Sequence, residues 1–183
     1  MLATDGNFVR CAGVNFTKAL GYMREIGLGG GTGGQRTGYG NYSTIGYVTE
    51  AENEEAAPLT LSYSFDDGSI ARLAQCILDR GGQSPETEAM LKNTTALFSA
   101  RAKNYQTLWD SERRLLCPRD VDGNYLCPPE NEVAVPYPLQ QKYLEGDAAQ
   151  WLWFVPQDPD GLRALFPSNE TYLSDLETFF NKV

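Results

Sequence analysis

The break between residues 80 and 86 limits the fold more than any other feature of this chain. Upstream, Ile70, Leu73, Ala74, Ile77 and Leu78 recur at i, i+3, i+4, i+7 and i+8, which marks an amphipathic helix over about 59–80. Gly81 stops it, and Ser84-Pro85-Glu86 is an N-cap followed by proline in the first turn of the next helix. Leu91, Phe98, Ala102, Tyr105 and Trp109 then run down one face to about Asp110, with Asn104 and Tyr105 packing on that helix. So short a connection forces the two helices antiparallel, as an αα-hairpin. The spacing therefore predicts a mainly α fold.

The rest of the chain fits that class. Residues 1–26 read as helix, with Phe16, Leu20 and Met23 on its apolar face and Gly27 as its stop. A glycine-rich loop covers about 27–40. Gly29, Gly31 and Gly34 match G-x-G-x-x-G there, but no strand precedes them and no G-K-[ST] follows, so the stretch reads as a connection. An acidic loop runs from Glu50 to Glu55. Asp122-Gly123 is a turn signal within 114–127, predicting one small β-hairpin. A proline-rich extended stretch leads to an apolar helix over 148–155, ended by Pro156. Two helices close the chain, one over about 158–166. The other is capped at Ser168 and is expected to bury Leu173, Leu176, Phe179 and Phe180. No internal repeat is visible, and residues 1–183 read as a single domain.

Composition removes whole classes of function. There is no histidine, which excludes a Ser-His-Asp triad, a Cys-His dyad and most catalytic zinc sites. Acid–base chemistry must fall to carboxylates. With 15 Lys and Arg against 24 Asp and Glu, the net charge is −9, and no basic run offsets it, so nucleic-acid binding is not expected. The longest apolar run, Trp151 to Val155, is far short of a membrane span. Four cysteines, Cys11, Cys76, Cys117 and Cys127, form no C-x-x-C pair. Cys117 and Cys127 flank the expected hairpin, as two buried thiols or, on a secretory route, as a disulfide. Sequons at Asn15, Asn41, Asn93 and Asn169 lean toward that route, whereas the Met1 segment lacks the pattern of a signal peptide. The compartment stays open.

Glu145 is the most informative carboxylate. It precedes the helix at 148 and lies among Tyr143, Trp151 and Trp153 in sequence. A carboxyl in aromatic, poorly solvated surroundings has a raised pKa and can donate a proton near neutrality, as a glycosidase general acid must. The alternative is that Glu145 and Asp147 cap the following helix, where negative charge is welcome. The pair Asp66-Asp67 has two readings as well: ligands for sugar hydroxyls, or first-turn acids on a helix.

The string from Tyr143 to Gly161 resembles the signature of glycoside hydrolase family 92. It keeps Glu145, Gly146, Ala148, Gln150, Trp153, Phe154, Val155, Pro156, Asp158 and Gly161. Further family-like pieces stand upstream in the same order: Gly46-Tyr-Val48, Leu61-Ser-Tyr63-Ser-Phe-Asp66-Asp67, Ala102-Lys-Asn104-Tyr105, Leu108-Trp-Asp110, Pro118-Arg119 and Asp122-Gly123. The resemblance implies calcium-dependent, exo-acting α-mannosidases that trim N-glycan mannose with inversion. It also implies an (α/α)6 toroid joined to a β-sandwich, of which this chain is an internal slice. Inversion needs an acid and a base roughly 6.5–9.5 Å apart. The family's acid falls on Glu145; Gln150, Trp153, Asp66 and Asp67 are the candidates for holding substrate. The family's base and its calcium motif fall beyond Val183, so no metal site is expected within the chain and the isolated chain is expected to be inactive. Its partners would be an α-mannoside or N-glycan substrate and the rest of the parent polypeptide. Three positions depart from the pattern: Asp147 for Asn, Ala149 for Trp and Gln157 for His. A non-catalytic carbohydrate-binding or scaffold remnant, or a piece of another six-hairpin glycosidase, are the competing readings.

Overall fold

A computed structural model describes residues 14–30, 36–130 and 142–182. Helix α1 spans Phe16–Gly27, α2 Tyr39–Thr44, α3 Ala56–Arg80 and α4 Pro85–Arg101. A 3-10 turn over Asn104–Leu108 leads into β1 (Trp109–Asp110), which pairs antiparallel with β2 (Leu115–Leu116). The chain continues as α5 (Ala148–Trp151), α6 (Pro159–Leu165) and α7 (Asn169–Lys182). The architecture is mainly α, as the sequence predicts, with one two-stranded sheet among the described residues. No described helix is long and apolar enough to cross a membrane.

The helical hairpin α3–α4 is the frame. Gly81 and Gly82 both take positive φ, a backbone region that favours glycine, and Ser84 Oγ accepts from Thr87 N at the start of α4. Ile70, Leu73, Ala74 and Ile77 bury against Leu91 and Phe98 of α4 and Leu20 of α1. Gly27 ends α1 directly on this pair. A Cβ there would stand 2.7 Å from both Ile70 Cδ1 and Phe98 Cε1, so a side chain would push α1 off its seat. A second core gathers Leu61, Tyr105, Leu108, Leu116, Tyr143, Leu152, Val155, Leu162 and Phe166. It joins α3 to the C-terminal third, and it carries the candidate site.

Several boundaries differ from expectation, each for a local reason. Helix α1 begins at Phe16 because Asn15 caps it, its Oδ1 accepting from Lys18 N at 2.9 Å; residues 1–13 of the expected helix lie outside the described set. Residues 31–35 of the glycine-rich loop, with Gly31 and Gly34, also lie outside it, and its last part is not loop but the start of α2. Helix α3 starts at Ala56, with Pro58 tolerated in its first turn, so Asp66 and Asp67 sit mid-helix and are not first-turn acids. Helix α4 stops at Arg101. Tyr105 and Trp109 therefore belong to the 3-10 turn and β1, and Tyr105 still buries completely.

The expected turn at Asp122-Gly123 is present, bracketed by the Arg119–Tyr125 bridge and with Gly123 at φ 88°. The paired strands themselves lie earlier, at 109–116. Cys117 and Cys127 form a disulfide, Cα to Cα 4.9 Å. Of the expected helix over 148–155 only one turn forms. Pro156 cannot donate a helical hydrogen bond, and Trp153 N and Phe154 N reach back only three residues, to Gln150 and Trp151. Helix α7 turns Tyr172, Leu176 and Phe179 inward; Leu173 and Phe180, expected in the core, are 59% and 70% exposed. The inward face follows 172, 176, 179, so 173 and 180 fall outside its arc.

Candidate active site

The loop bearing Glu145 is pinned on both sides. Before it, Tyr143 is buried, and its hydroxyl donates to Leu116 O at 2.9 Å. Burial, with Asp147 adding negative charge, pushes the Tyr143 phenol well above its ordinary value, so it stays a donor. After it, Asp147 Oδ1 accepts from Gln150 N at 2.8 Å while Gln150 Oε1 accepts from Asp147 N at 3.1 Å, a reciprocal capping box on α5. A Cβ on Gly146 would stand 2.8 Å from Gln150 Oε1 and 3.1 Å from Trp151 Nε1, so glycine lets the backbone close down. Trp151 Nε1 in turn donates to Leu144 O at 3.0 Å.

Between these anchors Glu145 takes φ 47°, a left-handed conformation that costs a non-glycine residue roughly 1–2 kcal/mol. Its side chain is exposed. Among the described residues the expected enclosure of Glu145 by aromatic rings is therefore not formed. The cause is local: Trp151 turns back onto the Leu144 carbonyl, and Trp153 points into a different cluster. Asp147, not Glu145, does the capping.

The substrate candidates separate. Gln150 is exposed, with its carbonyl oxygen committed to the capping box. Trp153 is half-buried against Phe166, Tyr172 and Phe179, with ring centroids 5.6–6.2 Å away. Asp66 is accessible, its side chain 56% exposed, whereas Asp67 is wholly buried. Asp67 faces Arg36 Nη1 at 2.7 Å and accepts from Tyr42 Oη at 2.8 Å. Burial lifts both aspartates above their ordinary value, and Arg36 pulls each back down.

Arg36 is the residue that sequence reasoning missed. It lies in the loop read as a flexible connection, yet its side chain is 3% exposed and its guanidinium lies over the rings of Tyr63 and Tyr42. The signal available was the lone arginine before a Tyr-rich stretch in an acidic chain. Asp158, one of the residues shared with the family signature, has a structural role. It accepts from Tyr105 Oη at 2.9 Å and from Gly161 N at 3.1 Å, welding α6 to the 3-10 turn. Beside it, Gly68, Arg72, Gln75, Lys103 and Gln157 line a cavity of about 400 Å³.

Among the described residues, one group of three potential metal ligands comes together: Asp110, Cys117 and Cys127. Calcium takes six to eight hard oxygen ligands, so a group with two sulfurs does not fit it.

Comparison with known proteins places the fold. The family model for the glycosyl hydrolase family 92 catalytic domain matches residues 7–183. The family GH92 inverting mannosidase BT2199 of Bacteroides thetaiotaomicron superposes with a TM-score of 0.71 at 25% identity, over 90% of this chain and 20% of that one. The family GH92 α-mannosidase BT3965 of the same organism gives 0.70 at 25% identity, over 90% of this chain and 19% of that one. Its complex with mannoimidazole gives 0.73 at 25% identity, over 91% and 20%. The chain thus spans about a fifth of the length of these solved structures. No curated protein matches it.

Proposed function

The chain belongs to glycosyl hydrolase family 92, and from that membership we propose that it is a segment of an inverting exo-α-mannosidase in which Glu145 is the general acid. The observation that carries the reading is the double anchor around Glu145. Tyr143 and the Asp147–Gln150 box fix the backbone on either side, while the carboxylate itself is exposed and sits on strained backbone. A group held in this way can protonate a leaving oxygen as the glycosidic bond breaks. The water that attacks the opposite face needs a base roughly 6.5–9.5 Å from the acid, supplied in this reading by the rest of the parent polypeptide.

Asp66 and Gln150 keep accessible polar groups and Trp153 a partly open ring, so these would hold substrate hydroxyls and a sugar face. Asp67 would contribute indirectly, by fixing Arg36 beneath Asp66. Calcium belongs to the proposal only through ligands outside this chain, and N-glycan mannose is the proposed substrate. A non-catalytic sugar-binding role has one observation in its favour: Glu145 is not enclosed.

The test is the anomer first formed by the parent polypeptide from an α-mannoside, followed by proton NMR. β-Mannose appearing first, and lost on chelation of calcium, is the expected result. α-Mannose first, or no mannose at all, would contradict the proposal.

A further inference from the structure

The geometry around the β1–β2 hairpin points to a second site, independent of mannoside chemistry: we infer that, when the Cys117–Cys127 disulfide is reduced, the two thiolates and Asp110 bind a soft divalent cation of the zinc class. The ligand atoms of all three residues lie within 4.8 Å of one another, and Asp110 Oδ2 is 3.3 Å from Cys127 Sγ.

The carboxylate is already aimed. Asp110 Oδ1 accepts from Glu112 N at 2.9 Å and from Arg113 N at 3.1 Å, which fixes the group and leaves Oδ2 facing the sulfurs. Such outer hydrogen bonds orient a metal ligand before the metal arrives. The segments that present the cysteines are held by backbone hydrogen bonds as well as by the S–S bond. Cys117 N donates to Leu108 O at 2.8 Å and Leu126 N to Pro118 O at 2.9 Å, so both cysteines stay on facing segments after reduction. In a tetrahedral zinc-type site with metal–sulfur bonds of about 2.3 Å, the sulfurs would stand roughly 3.7 Å apart. A Cα separation of 4.9 Å permits that by side-chain rotation alone.

The chemistry selects the metal. Two thiolates and one carboxylate suit zinc or cadmium, not calcium or magnesium, and three protein ligands leave a fourth position for water. Reduction adds two electrons and two protons across the S–S bond. A dithiol reductant closes to its own disulfide, or a phosphine takes oxygen from water and becomes its oxide. Metal binding then displaces the two thiol protons into solvent. Oxidation and metal binding therefore exclude one another.

The test uses the 183-residue chain with Cys11→Ser and Cys76→Ser, so that only this thiol pair remains. Phosphine-reduced and oxidised samples are titrated with cadmium, reading the ultraviolet sulfur-to-cadmium charge-transfer band. We expect one cadmium per reduced chain and none per oxidised chain. Asp110→Asn should weaken binding by about tenfold or more, on the scale of losing one element of a metal site. Equal binding by both redox states, or an Asp110→Asn variant that binds as tightly as its parent, would overturn the inference. Far-UV circular dichroism accompanies each titration. A reduced chain that loses its helices would overturn it too, because an unfolded dithiol presents no Asp110.

Discussion

Asp67 and Glu145 are acids of one chain held under opposite conditions. Asp67 lies in the middle of α3 with no exposed surface, and its partners, Arg36 and Tyr42, come from the segment before that helix. Glu145 lies exposed on a loop whose neighbours, Tyr143 and Asp147, take up the hydrogen bonds. One carboxylate holds the fold together. The other is held by it. An acid buried with a counter-charge has no freedom left for substrate, whereas an acid on a pinned loop is available for chemistry without being needed for stability.

The largest expected effect lies on the buried side. Arg36→Met leaves Asp67 without its counter-charge in the interior and should cost about 3–5 kcal/mol in urea denaturation. A loss below about 1 kcal/mol would place Arg36 with ordinary surface residues and erase the contrast. Next comes the anchor of the Glu145 loop. Tyr143→Phe strands the buried Leu116 carbonyl and should cost about 1–3 kcal/mol by the same measurement. Asp147→Ala removes the helix cap and should cost about 1 kcal/mol.

The smallest effect is a pH dependence. Burial raises Asp66 and Asp67 above 3.8, so between that value and their folded values the folded chain holds more protons than the unfolded one. Their contribution to stability is full below 3.8 and is lost as pH rises through the folded values. Asp66→Asn should flatten this decline relative to the parent chain, seen in urea midpoints measured from acid toward neutral pH. A steeper decline in the variant would reverse the sign and contradict the burial argument.

What the sequence made legible follows from local chemistry. Ser84-Pro85 and the spacing around Ile70 fix the α3–α4 hairpin because capping and amphipathic burial act within a few residues. Capping is local in the same way: of Glu145 and Asp147, the pair expected to cap the helix at 148, Asp147 does so, in a box with Gln150. What sequence reasoning missed depends on contacts between distant segments. Arg36 meets Asp67 across 31 positions, and a lone arginine before a Tyr-rich stretch does not show which distant carboxylate it meets. The contacts of Trp153 are of the same kind: Phe166, Tyr172 and Phe179 reach its ring from later in the chain, and no spacing within the apolar run shows them. Helix α5 is shorter than its apolar run suggests, because the run does not show how Pro156 tightens the turns before it.

The central claim is that Glu145 serves chemistry and not the fold. Glu145→Gln tests it in the parent polypeptide, assayed with aryl α-mannosides of graded leaving-group ability alongside urea denaturation. Stability should change by less than about 0.5 kcal/mol, as for an exposed residue. Turnover should fall by about 10²–10⁴-fold for poor leaving groups, and much less for those that depart without protonation. An equal loss across all leaving groups, or a large loss of stability, would contradict the account.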